Sequence, residues 1–133
     1  MKENWMIPCN AKAFDVIEHF KTSDIVCWKR GGGEVVGDDV YIYIGVPYQV
    51  VMFKCTVIDD RVSKEEMKNH EYATRGGCNG DRYMKLKKQF VFDEPIPLTE
   101  LQKHGVYRVR KQSRVDRKLL AFLTSVETSN VEG

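Results

Sequence analysis

Gly37-Asp-Asp-Val-Tyr-Ile-Tyr-Ile-Gly45 is the stretch that decides the fold of this 133-residue chain. Between its two glycines, aliphatic residues alternate with tyrosines, so that each type occupies one face of an extended chain. This two-residue period predicts a β-strand. The turn at residues 45–48 and the β-forming run Gln49–Ile58 come next and predict a hairpin at the centre of a sheet.

The segments around this hairpin predict further strands and several helices. Asn10 is expected to cap the first helix, because its side chain can accept a backbone N–H, and Asp93–Pro97 is expected to end a strand. The order of elements predicts an α+β domain on a small, strongly curved or barrel-like sheet with flanking helices. We expect strands at Asn4–Cys9, Ile25–Trp28, Arg82–Phe92 and Val106–Val109, and helices at Ala11–Phe20, Ser63–Asn69, Leu98–His104 and Val115–Val126.

The composition is typical of an ordinary globular domain, with 42% hydrophobic and 30% charged residues. We expect one domain over residues 1–127 and a polar, frayed tail over residues 128–133. No apolar run of about 18 residues is present, and the segment Met1–Trp5 does not resemble a signal peptide. The sequence therefore predicts a cytoplasmic protein with no membrane partner.

The four cysteines indicate neither a metal site nor a disulfide framework. Cys9, Cys27, Cys55 and Cys78 are far apart, and no Cys-x-x-Cys pair occurs. None of the histidines follows at a spacing typical of zinc ligands. We expect reduced, mostly buried thiols, no metal and no cofactor.

The basic residues are concentrated in one segment. Residues 1–81 carry 10 basic and 13 acidic side chains, whereas residues 82–118 carry 11 basic and 4 acidic ones. A net charge of +7 over 37 residues is typical of a surface that binds phosphates. The alternative is a plain solvated surface.

No motif of an enzyme class is evident. Gly31–Gly33 lacks the Lys-Ser/Thr of a P-loop, and the pairs Asp38-Asp39 and Asp59-Asp60 fall at strand edges, where turns explain them. We therefore assign no catalytic residue. Two alternatives to a binding function for nucleic acid stay open: a hydrolase that uses Asp38 or Asp59, and a small-ligand or protein-interaction module of a defence or toxin–antitoxin system.

Trp28 is the main candidate for ligand binding. It lies in Asp24-Ile-Val-Cys-Trp-Lys-Arg30, a short apolar run that ends in two cations. An indole beside cations suits stacking on a nucleobase, although a tryptophan in a strand is also a common core residue. Asn10 and Lys29 can offer an amide and an ammonium donor beside this indole. An amide reads the edge of a base and an aromatic wall binds its face, and a pocket for a flipped base needs both.

Several segments, taken in order, resemble the EVE domain of the PUA-like superfamily, which is related to YTH and ASCH domains. The early ones are Trp5-Met-Ile-Pro-Cys-Asn10, Val26-Cys-Trp-Lys29 and the strand at residues 37–43. Phe92–Leu98 resembles the family's proline segment before a short helix, and Arg110–Val115 resembles its Arg-Gln-Gly-Arg-Leu loop. The resemblance implies a small β-barrel with flanking helices that reads modified bases. Because ASCH domains are related to this family, an ASCH-like nuclease stays an alternative function.

The resemblance also implies roles for individual residues. Trp28 matches the tryptophan of an aromatic cage that holds a modified, for example methylated, base of DNA or RNA. Lys29 replaces a small polar residue of the YTH relatives, and the Tyr72–Gly80 loop matches one that often supplies a second aromatic. The expected base-binding residues are Trp28, Lys29, Asn10, Tyr72 and Tyr83, and those expected at the nucleic-acid backbone are Arg82, Arg110, Gln112 and Arg114.

Overall fold

The computed structural model describes residues 2–67 and 82–132 and contains a six-stranded sheet with helices around it. The strands are β1 (Asn4–Cys9), β2 (Ile25–Lys29), β3 (Asp39–Ile44), β4 (Val50–Val62), β5 (Tyr83–Pro97) and β6 (Ser113–Arg114). The helices are α1 (Val16–Thr22), α2 (Lys64–Met67), α3 (Leu98–Gln102) and α4 (Arg117–Glu132).

The sheet has the strand order β2-β5-β4-β3-β1-β6, so the predicted hairpin of β3 and β4 does lie at its centre. Strands β1 and β3 are parallel, whereas the other neighbours are antiparallel. The sheet curls into a half-barrel with helices against it. This architecture confirms the predicted α+β domain on a strongly curved sheet with flanking helices.

Strand β3 is buried on both faces because it separates two hydrophobic cores. Its aliphatic residues belong to one core, together with Trp5, Phe14 and Trp28. Its two tyrosines belong to the other core, where they meet Phe92 and the apolar side of α4. The predicted alternation is confirmed, and the structure shows that each face of the strand meets a different core.

The predicted start of the first helix is wrong. Helix α1 begins at Val16, and Asp15 is its N-cap, since the Asp15 carboxylate accepts the backbone N–H of Glu18 at 3.0 Å. Asn10 instead closes a tight turn, in which its side chain accepts from Lys12 and its carbonyl accepts from Phe14. This turn comes before the helix and leaves Asn10 exposed at the end of β1.

Strand β5 continues through the proposed break to Pro97. The register against β4 shifts between Val51 and Phe53, where Val51 pairs with Ile96 and Phe53 pairs with Val91. Pro95 lies within this irregularity, where a missing N–H costs no ladder hydrogen bond. The strand predicted at Val106–Val109 is also wrong, because these residues have no regular secondary structure.

The last helix, α4, extends to Glu132, so the expected frayed tail from Thr128 is helical in the described residues. Asp116 caps this helix by accepting the N–H of Leu119 at 2.8 Å. Tyr41 and Lys54 both contact the Glu127 carboxylate, which attaches α4 to the sheet. Within residues 2–67 and 82–132, no helix has the length and apolar character needed to span a membrane.

Candidate nucleic-acid interface

A concave surface lies at the carboxyl-terminal ends of β1 and β2 and at the turn after β3. It consists of three adjoining cavities of about 560, 370 and 380 Å³, all lined in part by Arg110. Cavities of this size are typical of small-ligand sites. We call the three cavities together the basic groove.

Five cations line the basic groove, and none of its described lining residues is acidic. Lys12 lines the largest cavity, Lys29 and Lys111 line the second, and Arg108 lines the third. Arg110 lies between them and contributes to all three. Such a concentration of one charge in a concave surface attracts anions, phosphates among them.

The cavities of the groove differ in the polarity of their lining. The largest cavity has an apolar wall formed by residues of β1, the β3–β4 turn and the segment before β6, with the Asn10 amide at its edge. The second cavity places three cations around the end of β2. The apolar lining residues of the largest cavity are Pro8, Cys9, Tyr43, Val46 and Val109.

Trp28 lies in the core and has little exposed surface. Only 2% of its surface is exposed, and its indole packs edge-on against Phe14, with ring centroids 6.0 Å apart at 75°. Trp28 is nevertheless one of the residues that line the second cavity. A base cannot stack on the indole in this arrangement unless neighbouring groups move, and the stacking role stays a prediction.

The structure brings together only some of the expected base-binding residues. Lys29 and Asn10 both line the groove, but in different cavities. Tyr83 is fully buried in β5, opposite Lys29, and lines none of the three cavities. Tyr72 and its glycine-rich loop lie outside the described residues.

The expected backbone contacts also separate into groups. Arg110 lines the groove, whereas Arg82 is exposed at the start of β5, where its carbonyl accepts the N–H of Arg30. The Arg114 guanidinium lies over the Trp5 ring, 5.4 Å from its centroid. Gln112 lines the groove, but its amide bonds to the protein backbone at Lys29 and Gly31.

The aspartates considered for a hydrolase lie away from the groove. Asp38 is buried and accepts hydrogen bonds from the Trp5 indole and from the backbone of Glu3 and Val35. Asp59 accepts from the backbone of Arg61. Both carboxylates therefore have structural partners, and within the described residues no cluster of His, Cys, Asp and Glu suits a metal ion.

Two ionisable groups in the wall of the groove are held in their neutral forms. Burial raises the pKa of the Cys9 thiol to about 12, and the thiol donates to the carbonyl of Phe14. Burial also raises the pKa of the Tyr43 phenol. Neither group is an activated nucleophile at neutral pH, since the thiolate is the reactive form of cysteine.

The lining residues that were not expected from the sequence include Lys12, Tyr43, Arg108 and Lys111. Lys12 belongs to the tight turn after β1, and Tyr43 is a strand residue whose neighbours gave no sign of a ligand. Arg108 and Lys111 lie within the basic segment, so the charge distribution contained a signal for these two. Only the fold shows that they face the same groove as Lys12.

Comparison with known proteins finds likeness in structure alone. No family model matches the chain, and no curated protein matches it in sequence. A hypothetical protein from Leishmania major aligns at a TM-score of 0.70 and 14% identity, over 98% of each chain. ASCH from Zymomonas mobilis aligns at a TM-score of 0.68 and 12% identity, over 92% of this chain and 94% of its own.

Human THYN1, solved in complex with DNA containing 5-methylcytosine, aligns at a TM-score of 0.67 and 10% identity. This alignment covers 95% of the present chain and 98% of THYN1. Because the alignments cover nearly all of both chains, the likeness extends over the whole domain. At 10–14% identity these alignments show the fold alone, and that fold is the PUA-like one that the sequence predicted.

Proposed function

We propose that this protein is a nucleic-acid-binding module that holds a strand of DNA or RNA along the basic groove. The observation that carries the proposal is the lining itself: five cations and no described carboxylate around three adjoining cavities. Such surroundings favour the binding of phosphates, since each cation that meets a phosphate releases a counterion from the nucleic acid. The fold it shares with THYN1, a protein seen bound to DNA, supports the same function.

Within this proposal, the largest cavity takes a base. Its apolar wall, with Tyr43, Val46 and Val109, suits the faces of a base, and a methyl substituent gains from the same apolar contacts. The Asn10 side chain uses its oxygen for Lys12, so its amino group remains available to the edge of a base. Recognition of a modified base, for example a methylated one, is therefore part of the proposal.

The second cavity takes the adjoining phosphates. Lys29, Arg110 and Lys111 surround it, and Arg110 and Pro8 also line the base cavity. A nucleotide whose base enters the largest cavity thus has cations next to its phosphates. Arg110 is the residue that both halves of the ligand would meet.

The experiment that tests this function is a binding titration with labelled oligonucleotides. Single-stranded and duplex DNA and RNA, each with cytosine or 5-methylcytosine, are titrated at several salt concentrations. We expect Arg110→Gln to weaken binding to every oligonucleotide and to reduce the slope of log K against log salt by roughly 0.7–0.9. The matched control is Arg61→Gln, since the Arg61 side chain is 95% exposed and lines none of the three cavities.

Two outcomes contradict the proposal. One is the absence of binding by the wild type at low salt, and the other is an equal effect of the Arg110 and Arg61 substitutions. A preference for 5-methylcytosine supports recognition of a modified base in the largest cavity. Equal affinity for cytosine and 5-methylcytosine contradicts that part of the proposal. We also propose binding without chemistry, so the oligonucleotides should stay intact with and without Mg²⁺.

A further inference from the structure

The side chain of Gln112 joins the two edges of the sheet. Its Nε2 donates to the carbonyl of Lys29 at 2.7 Å, and its Oε1 accepts the N–H of Gly31 at 2.7 Å. Lys29 ends β2, and Gln112 directly precedes β6, the strands at opposite ends of the sheet order. The amide thus makes the pair of bonds that a neighbouring strand would make to an edge strand.

Gly31, which lies opposite this amide, leaves room for it because glycine has no side chain. A Cβ at position 31 would lie 3.0 Å from both Cδ and Oε1 of Gln112, closer than nearly all real contacts of this kind. Glycine at this position therefore lets the amide approach the backbone. Gly31 and Gln112 are 81 residues apart in the chain, so this fit is a property of the tertiary structure.

The bridge lies next to the cations of the groove. Arg110 and Lys111 immediately precede Gln112, and Lys29 provides the carbonyl to which Gln112 donates. Residues 108–111 have no regular secondary structure and make no hydrogen bond to another described residue. Val109 packs against the core that contains the two tyrosines, and Gln112 adds a polar attachment directly after Arg110 and Lys111. Like charges repel one another, so this attachment opposes the separation of Arg110 and Lys111 from Lys29.

We infer that Gln112 is a positioning residue, which holds Arg110 and Lys111 beside Lys29 so that the three cations form one anion-binding surface. This inference rests on the proposed function and adds to it the reason why the groove is preformed. It also changes the role of Gln112, which acts on the ligand through its neighbours and makes no contact of its own. Gln112 is neutral, yet it thereby sets how closely the three positive charges of the site lie to one another.

The test uses the salt dependence of binding, because a neutral contact and a positioning role affect it differently. Gln112→Met keeps the length of the side chain and removes both hydrogen bonds without a change in charge. We expect it to weaken binding and to reduce the salt slope by roughly 0.7–1.8, the equivalent of one or two lost phosphate contacts. Gln89→Met is the matched control, since Gln89 is exposed on β5 and lines none of the three cavities.

The outcomes separate this inference from the proposed function. Weaker binding with an unchanged slope means that Gln112 contacts the ligand directly, and unchanged binding means that the bridge is structural only; either result overturns the inference alone. Failure of the wild type and of Gln89→Met to bind overturns the proposed function and the inference with it. Amide hydrogen exchange at Gly31, faster in Gln112→Met, checks that the bridge has been removed, and circular dichroism checks that the variant is folded.

Discussion

Gly32→Ala is expected to destabilise the protein, because the added methyl group meets a side chain that is held in place. A Cβ at position 32 would lie 2.7 Å from Cζ3 and 3.2 Å from Cη2 of Trp5. The indole N–H of Trp5 donates to Asp38 at 3.0 Å, and the Arg114 guanidinium lies over the same ring. Since the ring has little freedom to move away, the loop after β2 must shift.

The size of the effect follows from two opposing contributions. Overpacking of a well-packed site costs roughly 1–3 kcal/mol. Replacing glycine by alanine also restricts the unfolded chain, which stabilises the native state by about 0.4–1 kcal/mol where the backbone allows it. We therefore expect Gly32→Ala to lower the free energy of unfolding by about 1–2 kcal/mol.

The adjacent glycine provides the matched control. A Cβ at Gly33 would lie 3.8 Å from Trp5, an ordinary van der Waals contact. Gly33→Ala should therefore leave the free energy of unfolding unchanged or raise it by up to about 1 kcal/mol. Urea unfolding followed by circular dichroism measures both variants; a Gly32→Ala protein as stable as Gly33→Ala would refute the packing argument.

Buried phenol and thiol groups give two further expectations. Tyr41→Phe removes the donor that lies 2.6 Å from Glu127, so the free energy of unfolding at pH 7 should fall by about 1–3 kcal/mol. Burial raises the pKa of Tyr41 above its usual 10.0, so the unfolded state loses its phenolic proton first and wild-type stability declines as the pH rises above 10.0. Tyr41→Phe should decline less steeply there in urea unfolding, and an equal decline would contradict the linkage. Burial also raises the pKa of Cys9 to about 12 and of Cys27 to about 11. In a Cys78→Ser background, the native thiols should react with Ellman's reagent at pH 8 at least about a hundredfold more slowly than the urea-unfolded protein, and equal rates would exclude their burial.

The fold was predictable where the signal is local. The alternation in residues 37–45 marks β3, because a strand that separates two cores needs apolar residues on both faces. The choice between Asn10 and Asp15 as helix cap was not predictable, since both residue types cap well and a tight turn decided between them. Pro95 was misread for a similar reason, because only the register against β4 shows that its position needs no donor.

The site was predictable only in part. The basic segment and the family resemblance both indicated Arg110, which lies at the centre of the groove. The role of Gln112 depends on the meeting of the two sheet edges, and no local pattern contains that information. The motif around Trp28 did not indicate that the indole is 2% exposed, since burial depends on the elements packed against the strand, and its stacking role stays a prediction.

The strand order has a consequence for how the protein folds. Within the described residues, strand β2 pairs with β5 alone, with Val26 opposite Leu86, so it can pair only when a distant part of the chain has reached it. Pairings between distant segments slow folding, because the chain loses entropy in closing the loop before the stabilising contacts form. The Gln112 bridge spans 81 and 83 residues and requires β2 to be in place already. The groove is therefore complete only once β2, β5 and the segment before β6 have come together, and a partly folded chain with the β3–β4 hairpin alone would lack it.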